Sequence, residues 1–199
     1  MLKYVESHES KIHSFLCSVK SACNHTVPII DEVELDNRKV IVMPRETVLS
    51  GVLDQVFETS GNDLAHQFLE GVHFMHRQCV AHLDLKPSNI LVTLASPLQL
   101  HIIDFGISVR VSKQDAWITG YRGTEGWAAP EVVDDSRTRY QPIRADLWSA
   151  GRVLLYFAHR QHASTTDSLK SFADKLLRRN PLQRPLLSED YVRPHLCCC

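Results

Sequence analysis

The sequence predicts an α+β fold, with a small sheet-bearing part stacked on a larger helical part. Two observations carry this. Apolar, β-branched runs sit at the front, at residues 27–35 and 39–43, and helical stripes dominate from residue 62 onward. In order along the chain, Ile12, Phe15, Leu16 and Val19 recur at helical spacing and predict a short helix over 8–22. Asp36-Asn37 between the two front runs is a hairpin signal, and Pro44 ends the second strand. Asn62 is a good N-cap for a helix whose stripe is Leu64, Phe68, Leu69, Val72 and Met75, a core face. Residues 90–94 and 98–103 read as paired strands joined by Ala95-Ser96-Pro97. Residues 106–128 have weak periodicity and read as a long functional loop. Residues 146–159 form a strongly apolar, buried helix, and 168–179 another, with Leu169, Phe172, Ala173, Leu176 and Leu177 on one face.

The 199 residues suffice for one ordinary domain. With 44% hydrophobic and 23% charged residues, the composition is that of a soluble globular protein. Lys and Arg total 22 against 23 Asp and Glu, so bulk charge points to neither nucleic acid nor an anionic membrane. No apolar run approaches the roughly 20 residues a transmembrane helix needs, and the N-terminus is too polar for a secretory signal. A cytoplasmic protein is expected. Cys17, Cys23, Cys79 and the terminal Cys197-Cys198-Cys199 contain no Cys-x-x-Cys pair, so neither a zinc knuckle nor a disulfide framework is indicated. The pairs His73/His76 and His159/His162 lack a thiol or carboxylate partner at ligand spacing and read as ordinary surface or boundary residues.

Chemistry concentrates in one stretch. Val80-Ala-His82-Leu-Asp84-Leu-Lys86-Pro-Ser-Asn89-Ile-Leu-Val92 precedes Asp104-Phe105-Gly106, and Ala129-Pro130-Glu131 follows. Asp-Phe-Gly alone is weak; the ordered set with its spacings is strong. This set resembles the catalytic half of a eukaryotic protein kinase, and the resemblance covers about residues 1–193, most densely 80–151. It implies a protein-kinase-like bilobal fold: a remnant small lobe at 1–45, a mainly helical catalytic lobe at 46–195 and a Cys-rich tail at 196–199.

The implied activity is a serine/threonine protein kinase using ATP and Mg2+ on a protein substrate. In-line phosphoryl transfer needs a carboxylate at the attacking hydroxyl, a cation on the transferred phosphate and oxygen ligands for Mg2+. Asp84 fits the first role and Lys86 the second; Asn89 and Asp104 offer the Mg2+ oxygens. By resemblance, Lys3 stands for the lysine that holds the α- and β-phosphates, with Glu9 as its ion-pair partner. Against that stands the reading of two exposed charges near a frayed terminus. Met43 would flank the adenine pocket and Leu91 lie beneath the ring. The segment Asp146-Leu-Trp148-Ser-Ala-Gly151 resembles the buried helix that anchors the catalytic loop, and Arg184 sits where the family pairs an arginine with the Glu131 position. Lys86 with Thr124 resembles the serine/threonine branch.

Three departures matter. Leu83 replaces the arginine usual before the catalytic aspartate, so switching by loop phosphorylation is not expected and packing would set the segment instead. The first glycine is Gly51, so the residues ahead of the hairpin hold no phosphate-covering Gly-x-Gly-x-x-Gly loop. The expectation is an N-terminally truncated small lobe, with a catalytically inert pseudokinase acting as an interaction module as the alternative. Only about twenty residues separate the anchoring helix from the Leu169 helix, so a substrate-docking helix is reduced or absent. The terminal cysteines are not a C-a-a-X box and lack a polybasic flank; lipid modification is the lesser reading beside an unstructured, oxidisable end.

Overall fold

A computed structural model describes residues 1–133, 139–161 and 166–188. The Cys197–Cys199 tail and His162 lie outside these residues. The chain begins with β1 (Leu2–Val5) and α1 (Ser7–Ser18), followed by the hairpin of β2 (Asp31–Leu35) and β3 (Arg38–Val42). β1, β3 and β2 form an antiparallel sheet in that order, with Lys3 opposite Ile41 and Ile41 opposite Glu32. The hairpin turn is Asp36-Asn37, both left-handed at φ 53° and 57°, which suits two residues that tolerate that region and the right-handed twist of the strands.

Two front elements are shorter than the sequence predicts. α1 ends at Ser18 because the Asn24 side-chain amide donates to the Leu16 and Val19 carbonyls at 2.9 and 3.1 Å, satisfying the C-terminal acceptors. Val27 is fully buried but lies outside β2. Its amide donates to the Ile102 carbonyl at 3.1 Å, so the segment before Pro28 is tied to a different sheet.

The helical part is built around α2 (Asp54–Arg77) and α4 (Pro142–His159), with α5 (Asp167–Leu176) packed on α4. α2 starts eight residues before the predicted Asn62 N-cap, which lies inside the helix. Thr59-Ser60-Gly61-Asn62 is a poor helix sequence, and tertiary packing overrides it. Phe57 is fully buried, 5.8 Å from the Phe157 ring and 6.1 Å from Tyr156, with the Arg160 guanidinium 4.5 Å above it. The predicted stripe of Leu64, Phe68, Leu69, Val72 and Met75 is buried in the main core together with Leu147, Val153 and Leu154 of α4. Gly151 permits the α4–α5 approach: a Cβ there would lie 2.9 Å from Leu177 Cγ and 3.2 Å from the Ala173 carbonyl. α5 ends at Leu176, three residues short of the expected 179.

Between these helices run short strands that carry the loops. β4 (Thr47–Val48), β6 (Ile90–Thr93) and β7 (Gln99–Ile102) form one antiparallel sheet, with the β6–β7 pair as expected from the sequence. β5 (Val80–Ala81) pairs with β8 (Val109–Arg110), which lies inside the predicted long loop. Farther on, Ile118 bridges Tyr140, and the short helix α3 (Pro130–Val133) follows the loop.

Candidate active site

The segment between β5 and β6 is held open by α4. Asp146 is fully buried, and its two oxygens accept the backbone amides of His82 and Leu83, each at 2.6 Å. Oδ2 also lies 3.1 Å from His76 Nε2, so His76 and, bonded to the Leu187 carbonyl, His73 are buried on α2 rather than at the surface or boundary. The hydrogen bonds to Asp146 fix Leu83 at φ 66°, a conformation a γ-branched residue rarely adopts. The His82 ring is buried as well: Nε2 donates to the Ile103 carbonyl at 2.9 Å and Nδ1 accepts the Asp84 amide at 3.2 Å, which selects the Nε2–H tautomer.

That scaffold brings Asp84, Lys86 and Asn89 together, with Thr124 added from the long loop. Thr124 Oγ1 donates to Asp84 Oδ1 at 2.6 Å. Lys86 Nζ lies 2.8 Å from Asp84 Oδ2 and 2.6 Å from Thr124 Oγ1. Asn89 Nδ2 donates to Asp84 Oδ2 at 2.8 Å and to the Asp84 carbonyl at 2.9 Å, so its amide oxygen is turned away from Asp84. Gly123 sits at φ 126°, and a Cβ there would come within 3.0 Å of the Leu83 carbonyl, so the long loop approaches the catalytic-type loop closely.

A second cluster joins β1, α1 and Asp104. Lys3 Nζ pairs with Glu9 Oε1 and, at 2.8 Å, with Asp104 Oδ1. Burial pulls the Lys3 ammonium down, but hydrogen bonds and charge from Asp104 and Glu9 outweigh it and leave its pKa raised. Burial likewise pushes the Asp104 carboxyl up, and Lys3 overcomes this to leave it below the usual aspartate range. Lys3 and Glu9 are therefore partners rather than unrelated charges at a frayed end. Asp104 is left-handed at φ 71°, and its neighbour Ile103 donates to the Asn89 carbonyl at 3.0 Å, which ties the two candidate Mg2+ ligands to adjoining backbone.

The donor chemistry of Asp104 and Asn89, one carboxylate and one neutral amide oxygen, fits a hard ion that arrives with phosphate oxygens of its own. Among the described residues no three His, Cys, Asp or Glu side chains converge as a metal cage. Met43 is buried with Val27 and Ile41 against Ile103, one residue before Asp104, and Leu91 is buried in β6. Beside the Lys3–Glu9 pair opens a cleft of about 700 Å³ bordered by Tyr4, Glu6, Arg38 and Gly106. A groove of about 670 Å³ between α2 and the β6–β7 turn includes none of these site residues.

Two contacts near the site escaped the sequence reading. Phe105 is fully buried between His82 and His13, with ring centroids at 5.2 and 5.0 Å. His13 Nε2 donates to the Val27 carbonyl at 2.8 Å. The available signal was spacing: His13 is four residues after Glu9, hence on the same side of α1. Farther out, Arg184 is fully buried and grips Glu131 at two points, 2.6 and 2.8 Å, while also donating to the Arg178 and Arg144 carbonyls at 2.8 Å each.

A protein kinase domain model matches residues 8–168. The chain belongs to the protein kinase family. Three of its relatives are named serine/threonine-protein kinases. It is 45% identical over 174 residues to rabbit (Oryctolagus cuniculus) serine/threonine-protein kinase 17A, covering 72% of this chain and 42% of that protein. Against zebrafish (Danio rerio) serine/threonine-protein kinase 10 the identity is 29% over 164 residues, covering 75% and 16%. Against chicken (Gallus gallus) serine/threonine-protein kinase TAO3 it is 30% over 158 residues, covering 65% and 17%. The chain thus spans less than half the length of these relatives. Lys3 lies ahead of the residues that match the kinase family model. No described helix is long and apolar enough to cross a membrane.

Proposed function

We propose that this kinase-family chain transfers the γ-phosphoryl group of MgATP to a serine or threonine hydroxyl of a protein. The observation that carries this reading is the triangle of Asp84, Lys86 and Thr124, whose polar atoms lie within 2.6–2.8 Å of one another.

Asp84 orients the incoming hydroxyl and accepts its proton as the new oxygen–phosphorus bond forms and the bond to the leaving diphosphate breaks. Lys86, already close to Asp84 and Thr124, places positive charge on the transferred group. Asn89 holds the Asp84 carboxylate with its amide N–H and keeps its oxygen for Mg2+. Asp104 is the charged Mg2+ ligand. Lys3, held by Glu9, is positioned for the α- and β-phosphates, and Met43 and Leu91 border the adenine. When bound, MgATP supplies the phosphoryl group and the divalent charge that screens it. We place the division between small and large lobes near residue 45, and the compartment of action in the cytoplasm.

A thermal melt with and without MgATP, beside Asp104→Ala, tests the nucleotide half of this reading. Ligand at about one hundred times its Kd stabilises the folded state by about 2.7 kcal/mol, which for a chain of this size raises Tm by about 5–10 °C. The reading predicts that shift and its loss in Asp104→Ala. A cooperative melt indifferent to MgATP would instead support the inert interaction module.

A further inference from the structure

The Lys3–Glu9 pair depends on the rotation of α1, and two contacts outside the pair hold that rotation. His8, Ile12 and Phe15 are spaced to form one stripe of α1, while Glu9 and His13 form the adjoining stripe that reaches Lys3 and Phe105. The first stripe meets the segment after Asp104-Phe105-Gly106. His8 Nε2 donates to the Ser108 carbonyl at 2.7 Å, and the Arg110 guanidinium carbon lies 3.8 Å from the centroid of the Phe15 ring. That distance is well inside the range where a cation is held by a ring face. Arg110 in turn is fixed by backbone pairing, since Val80 opposes Arg110 and Ala81 opposes Val109 in the β5–β8 ladder. β5 leads directly into the loop that carries His82 and Asp84. A continuous path therefore runs from that loop through β8, Arg110 and Phe15 to Glu9 and Lys3.

We propose that Arg110 is a positioning residue: stacked on Phe15, it locks α1 in the rotation that keeps Glu9 on Lys3, and it does so without a phosphate on the loop. The assignment rests on the kinase reading of Lys3, Glu9 and Asp104. Leu83 supplies no guanidinium between the catalytic-type loop and the segment after Gly106, and Arg110 provides a cationic link from that segment to α1. Turning α1 far enough to withdraw Glu9 breaks the Arg110–Phe15 stack and the His8–Ser108 bond together. The coupling is therefore between two arrangements of one helix rather than a property of distance alone.

The test is amide hydrogen exchange of the full chain, compared among wild type, Arg110→Ala, Arg110→Lys and Phe15→Leu, together with KM for ATP and kcat. Arg110→Ala and Phe15→Leu each speed exchange across Ser7–Ser18 by about three- to tenfold, the loss expected for one ring–cation contact, and leave α2 and α4 unchanged. KM for ATP rises by a similar factor with little change in kcat. Arg110→Lys recovers part of both, and Arg110→Ala adds nothing further in the Phe15→Leu background. Unchanged α1 exchange in Arg110→Ala overturns the proposal. Loosened α1 in a chain that shows no transfer even as wild type overturns the kinase reading instead, and removes the positioning role with it.

Discussion

The Asp146 carboxylate accepts the Leu83 amide at 2.6 Å and holds that residue at φ 66°, so a fully buried charge on α4 sets the shape of the loop carrying Asp84. Its second oxygen takes the His82 amide at the same distance. Asp146→Ala leaves two buried amides without an acceptor. The expected cost is about 3 kcal/mol, a fall in Tm of about 6–12 °C. A thermal melt measures it, and a change under about 1 kcal/mol would mean that the loop shape has another source.

Arg184→Lys preserves the charge and still fails. A point ammonium cannot span both Glu131 oxygens and the Arg178 and Arg144 carbonyls that the guanidinium reaches at once. The expected loss is about 2–4 kcal/mol by urea unfolding. A loss within about 0.5 kcal/mol of zero would show that the two-point geometry is dispensable.

Leu83 is buried among Ala81, Ala129, Val132 and Tyr140, with Ile107, Val109 and Ile118 packed on the same cluster. Apolar contact therefore anchors the long loop where a phosphate-gripping arginine would otherwise stand. Phosphatase treatment should leave catalytic rate unchanged. Leu83→Arg should destabilise by about 3 kcal/mol, because it buries an unpaired charge. Loss of activity on dephosphorylation would contradict this.

The Lys3–Asp104 pair has a defined pH window. Asp104 has a depressed folded pKa, so its contribution to stability is present above the unfolded value, about 3.9, and is lost as pH falls through the folded one. Lys3 has a raised folded pKa, so its contribution is full below the ordinary lysine value, about 10.4, and is lost as pH rises through the folded one. Between these limits the pair is intact. Lys3→Met should flatten both edges of the stability profile, as read from melts across pH; unchanged edges would show that the pair carries no linkage.

The order of elements was legible because local chemistry and tertiary structure agree over most of the chain. Asp36-Asn37 makes the turn its residue types favour, the α2 stripe is the core face, and Lys86 reaches Asp84 as their spacing in an extended loop implies. Disagreement appears where distant contacts decide. Phe57 and Arg160 extend α2 through residues with poor helix propensity, Asn24 stops α1, and β7 captures Val27. The same holds at the site. Thr124 and Glu9 were legible as motif or spacing, whereas the Phe15–Arg110 stack joins residues 95 apart in the chain, and nothing local to either announces it.

The decisive measurement is the rate at which radiolabelled γ-phosphate passes from MgATP to a library of serine-, threonine- and tyrosine-containing peptides. Wild type should label serine and threonine but not tyrosine, and Asp84→Asn should lower kcat by about 10²–10⁴-fold without lowering Tm appreciably. Transfer that survives intact in Asp84→Asn would remove Asp84 from the catalytic role, and a folded wild-type chain that binds MgATP and labels nothing would show that the chain is not a kinase.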